Sequence, residues 1–102
     1  MRITLSKEAR NDLLSIRDYI RDDLLNPDAA QQTIAALKKG VQGLSSFPER
    51  GTSLDTILPI HTDFRFVLCK SYRIFYVCNH DTVEVVRILH NLQDYMRALF
   101  IK

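Results

Sequence analysis

No run of apolar residues in this sequence approaches the roughly 18–20 positions that a bilayer crossing takes, so no membrane partner is expected. The opening stretch of Met1 to Ser6 meets the charges of Lys7 and Glu8 at once, which leaves no apolar segment for a secretory signal. Cysteine is scarce: Cys69 and Cys78 are the two present, and their spacing fits no metal site. His61, His80 and His90 lie too far apart in the chain to match a familiar zinc pattern. The expectation is a reduced, cytoplasmic protein with no metal and no cofactor.

Charge of one sign is lacking too. Fourteen basic and twelve acidic residues leave a formal charge of +2, spread evenly along the chain. That is too weak a surplus for a protein that coats nucleic acid. There is no charged tail, internal repeat or low-complexity stretch. At 102 residues the chain is too short for two domains or for a barrel enzyme. Residues 1–102 are expected to form one domain, able to bury about 65% of its unfolded surface.

What is present falls into two halves. Ala, Leu, Asp and Gln dominate the first 47 positions, and Val, Phe, Tyr, Ile and Cys dominate 64–90. Helix formers followed by strand formers imply an α+β fold. Arg2-Ile3-Thr4-Leu5 alternates as a short N-terminal strand, and Ser6 can cap the helix after it. Ala9, Leu13, Ile16, Ile20 and Leu24 then trace one face of a helix over about 7–25. Asn26-Pro27-Asp28 reads as a break and restart, with Asn26 as N-cap and Pro27 in the first helical position. Ala30, Ile34, Leu37, Val41 and Leu44 define a second helix, to about Ser46, antiparallel to the first. An irregular connection fills 52–63. Three strands, Phe64–Lys70, Tyr72–Cys78 and Val83–His90, make a three-stranded antiparallel sheet. Leu92, Tyr95, Met96 and Leu99 imply a short C-terminal helix over 91–102.

With two central residues in each turn, Phe66, Phe75 and Val86 line up across the sheet, as do Leu68, Arg73 and Ile88. Arg73 and His90 then become diagonal neighbours on one face, while Arg65 and Arg87 share the other. A one-residue slip at either turn undoes these pairings. Both faces are largely apolar, so both call for cover: the hairpin on one, the C-terminal helix or a partner chain on the other.

The order of these pieces resembles the RelE/ParE superfamily of bacterial type II toxins, closer to its ParE-like branch. The resemblance rests on Ala9, Asp12-Leu13, Ile16 and Tyr19-Ile20, on Pro48 and Gly51, on Arg65, on Tyr72-Arg73-Ile74-Phe75-Tyr76, and on Val85-Val86-Arg87-Ile88-Leu89-His90. It implies a toxin, often serving plasmid stabilisation, that is held in a hetero-oligomer by a cognate antitoxin. A ParE-like member inhibits DNA gyrase by binding it; a RelE-like member cleaves mRNA on the ribosome. A third reading is a non-toxic or retargeted binding module of the same fold.

Ribonuclease chemistry would draw on Arg73 to stabilise phosphorane charge, His90 as proton donor and Tyr95 as orienter, with Glu49 a further candidate base. A binding role would draw on Arg65, Arg87, Tyr72 and Tyr76 for the target or antitoxin. Each has a plainer alternative: ion pairs for Arg73 and Arg87, a structural hydrogen bond for His90, packing for the tyrosines. The absence of lysine from 52–69 and the small net charge favour a protein target over ribosomal RNA.

Overall fold

The computed structural model describes residues 1–56, 61–91 and 95–100. Strand β1 (Arg2–Leu5) leads into helix α1 (Lys7–Asp18), which continues as a π-helical turn, Tyr19–Asp23. Helix α2 (Pro27–Gly43) returns antiparallel to α1. Then come β2 (Thr52–Ser53), a 3₁₀ turn at Leu54–Thr56, β3 (Arg65–Cys69), β4 (Tyr72–Cys78), β5 (Thr82–His90) and α3 (Tyr95–Phe100).

Local chemistry sets the helix starts. Ser6 Oγ accepts from the Ala9 amide at 3.0 Å, and Asn26 Oδ1 accepts from the Ala29 amide at 3.0 Å, each satisfying a first-turn donor. The end of the first helix departs from the expected regular run over 7–25. In the π turn the Leu24 amide reaches back to the Tyr19 carbonyl, and the Asn26 amide bonds the Ile20 carbonyl. That wider turn shifts the apolar stripe out of phase. Ile20 stays buried, while Leu24 is 55% exposed instead of continuing the face. Leu25 closes the turn at φ 52°, a left-handed conformation usual for glycine.

The sheet corrects the three-stranded antiparallel expectation. Among the described residues it has five strands in the order β1-β5-β4-β3-β2, and it is mixed. β1 lies parallel to β5, with Arg2 beside Thr82 and Leu5 beside Val85. A parallel pair needs a long connection, and here it holds the helical hairpin and strands β2, β3 and β4. At the other edge β2, taken from the supposedly irregular connection, pairs Thr52 with Phe66 and Ser53 with Arg65. The closing helix is described over Tyr95–Phe100; Asn91 is a turn residue, and the rest of the span read from 91–102 lies outside the described residues.

The β3–β4 turn has the expected register: Phe66 faces Phe75, Leu68 faces Arg73 and Cys69 faces Tyr72. β4–β5 starts as expected at Cys78–Val83 and then slips by one. A bulge between Phe75 and Tyr76 leaves Val86 unpaired, so Phe75 faces Arg87, Arg73 faces Leu89 and Tyr72 faces His90. Beyond the bulge Ile88, Leu89 and His90 lie on the opposite faces from those expected.

Two apolar layers result. Between sheet and hairpin lie Ile16, Leu37, Val41, Leu44, Ile74, Tyr76, Val83, Val85 and Ile88, with Ala9 and Ala30 where the backbones approach. On the opposite face Leu54, Phe66, Phe75 and Leu89 form a smaller layer, against which Phe64, Val86 and Leu99 pack. Phe64 and Phe100 meet edge to face at 5.5 Å, bringing α3 onto that side.

Candidate functional site

The bulge in β5 is held from the first helix. Ser6 Oγ, besides capping α1, donates to the Val86 carbonyl at 2.7 Å. Asp12 receives Arg87 in a fork, Nε at 2.8 Å and Nη2 at 2.9 Å, and also accepts the Ile88 amide at 2.9 Å. The carboxylate raises the Arg87 guanidinium above its ordinary pKa through that hydrogen bond. Arg87 is thus built into the fold, fixing α1 to the irregular stretch of β5.

Beyond this clamp lies a pocket of about 540 Å³. Ile16, Ile88 and Leu89 give it apolar surface, and Asp12, Ser15, Tyr19, Tyr72 and His90 line the rest. Tyr72 and His90, paired across the strands, stand edge to face with centroids 5.5 Å apart. Burial pushes the Tyr72 phenol above its usual value, and nearby Tyr19 pushes the same way.

Arg73 is elsewhere. It pairs with Leu89 and stacks over the Phe66 ring at 5.0 Å, on the face away from the hairpin. His90 pairs with Tyr72 on the hairpin side, so the expected Arg73–His90 neighbourhood does not form; the bulge separates them. Tyr95 opens α3, and its side chain lies outside the described residues. Glu49 is exposed in the loop after α2.

Arg65 and Tyr76 converge on that loop. Tyr76, fully buried, donates to the Pro48 carbonyl at 2.8 Å and accepts from the Gly51 amide at 3.0 Å. Arg65 Nη1 donates to the Gly51 carbonyl at 2.9 Å. A Cβ on Gly51 would strike the Tyr76 hydroxyl and lie 2.7 Å from the Phe66 carbonyl oxygen, which accounts for glycine there. Burial also raises the Tyr76 phenol. Together these residues latch the 48–51 loop to the sheet.

Two grooves open on the outer side of the hairpin, of about 390 and 340 Å³, sharing Arg17, Ile34 and Lys38. Ala30, Ile34 and Leu13 give them apolar floors; Arg10, Arg17, Arg21 and Lys38 bring only positive charge to their linings. Asp12 and Tyr19 were not singled out as site residues from sequence. The available signal was Asp12 itself: a carboxylate flanking a buried stripe needs a cation, and Arg87 supplies it.

This arrangement, a helical hairpin on a mixed five-stranded sheet, is the fold of a solved protein described as "Chromosomal ParDE TA system from P. aeruginosa". The two superpose with a TM-score of 0.72 at 17% identity, over 88% of this chain and 95% of that one. A likeness at that identity speaks for the fold. The class is given by sequence: the family model "ParE toxin of type II toxin-antitoxin system, parDE" matches residues 3–95. The chain belongs to the ParE toxin family, and a toxin of that class implies an antitoxin partner. No curated protein matches it. Among the described residues no helix is long and apolar enough to cross a membrane.

Proposed function

We propose that this chain is a ParE-like toxin that arrests growth by binding DNA gyrase, and that a cognate antitoxin neutralises it in the cytoplasm. The observation that carries this reading is the family match over residues 3–95. The geometry supports binding over RNA cleavage, because Arg73 and His90, the pair a ribonuclease would need side by side, sit on opposite faces of the sheet. The decisive experiment is a supercoiling assay with purified toxin, with and without antitoxin. Inhibited supercoiling and stabilised cleavage complexes are expected; an untouched gyrase reaction rejects this target.

The antitoxin contact that fits best is the hairpin surface. Its apolar floor and cationic rim match an acidic amphipathic segment, whose Asp and Glu side chains would exchange with the exposed Arg17–Asp18 and Arg21–Asp22 pairs at little cost. Double reversal, Arg17→Glu with Lys38→Glu, should weaken antitoxin binding by at least about tenfold, mainly through slower association. Calorimetry and stopped-flow binding at two salt concentrations would check this; unchanged affinity would move the contact off the hairpin.

A further inference from the structure

Two departures from regular backbone meet at one place. The π turn begins at Tyr19, and the β5 bulge precedes Ile88, Leu89 and His90. All four residues line the 540 Å³ pocket, and so does Asp12, which pins the bulge. A π turn costs helix regularity and a bulge costs ladder pairing, and both recur where a side chain must be re-aimed for a function. Without the bulge His90 would face away from Tyr72; with it, the imidazole and two phenols share one cavity.

The chemistry of that cavity is specific. Its carboxylate is already spent on Arg87 and the Ile88 amide. Among the described residues no lysine or arginine lines it. Ser15, Tyr19 and Tyr72 bring three hydroxyls, none hydrogen-bonded to another described residue. Aromatic rings and apolar Ile16 and Ile88 supply stacking surface. A purely apolar occupant would strip water from these hydroxyls and leave them unpaired, which is costly. A flat ring with polar edges satisfies both requirements.

We infer that this pocket is a binding site for a neutral, planar heteroaromatic ring of nucleobase size, stacked on Tyr19 and held at its edge by the Ser15 and Tyr72 hydroxyls. Its volume suits such a ligand. The ring can arrive as a free nucleoside or as a base of a single strand. The site is separate from the Arg73 face, and its occupancy does not depend on gyrase being the target.

The test is an amide NMR titration of the whole chain with adenosine, with a short single-stranded deoxyadenosine oligomer, and with N-acetyl-tryptophanamide. Saturable shifts at Tyr19, Tyr72 and His90 with adenosine are expected, and Tyr19→Ala should weaken them about tenfold by loss of stacking. Tyr19 is half-exposed, so that variant keeps the fold, as its spectrum would verify. Tyr72→Phe, which keeps the ring and removes the hydroxyl, should weaken binding less but measurably. Binding of the oligomer alone supports the site and assigns its source to nucleic acid; binding of both assigns it to the base itself. Absence of pocket shifts with both adenosine and the oligomer, or tryptophanamide binding as tightly at the same residues, overturns the inference.

Discussion

Leu25 holds a left-handed backbone that its own Cβ opposes, and it does so 82% exposed, with little packing to compensate. Leu25→Gly should therefore raise stability by about 0.5–1 kcal/mol in urea unfolding. Tyr72 gives a second prediction. Its phenol titrates above the ordinary 10.0 in the folded protein, so folding favours the neutral form. The associated stability is full below about pH 10 and is lost as pH rises through the folded value. Tyr72→Phe should flatten the alkaline loss of stability, measured by unfolding across that range. Among residues, the legible ones act locally: Ser6 and Asn26 announce caps by their own chemistry. Leu25 announces nothing, because a leucine carries no sign of the turn it must close. Nor did Tyr76 and Arg65 reveal that they would bond the backbone of the 48–51 loop.

At the scale of elements, the apolar stripes of α1 and α2 and the β3–β4 register were legible because each depends on periodicity or on a tight turn. The bulge was not. Val83 to His90 is largely apolar on both faces, so the pattern gives no cue when the phase slips, and the cause lies in Ser6 and Asp12, far away in sequence. Removing that cause tests the account. Asp12→Ala strips Arg87 of its fork and the Ile88 amide of its acceptor, and should cost about 3 kcal/mol. Amide exchange should quicken first around Val86–Ile88. If the bulge amides stay protected while only global stability falls, the carboxylate does not pin the strand. The candidate pocket was half legible for the same reason: Tyr72 and His90 were named, but their meeting depends on the slip.

For the whole molecule, one sheet divides two apolar layers, and the hairpin covers the larger. The strand order could not be read locally, since β1 finds its partner only after the hairpin has crossed over. That placement has a kinetic consequence. β1 has no neighbour in the sheet until β5 emerges, so the sheet cannot be completed until the hairpin and the strands between them have been made. Pairing of such distant segments is slow to close and belongs late in folding. Leu5→Ala should destabilise by about 1–3 kcal/mol, and stopped-flow kinetics should assign most of that to faster unfolding, with refolding nearly unchanged. A growing chain would then present its finished sheet only once β5 has left the ribosome, however early the hairpin forms.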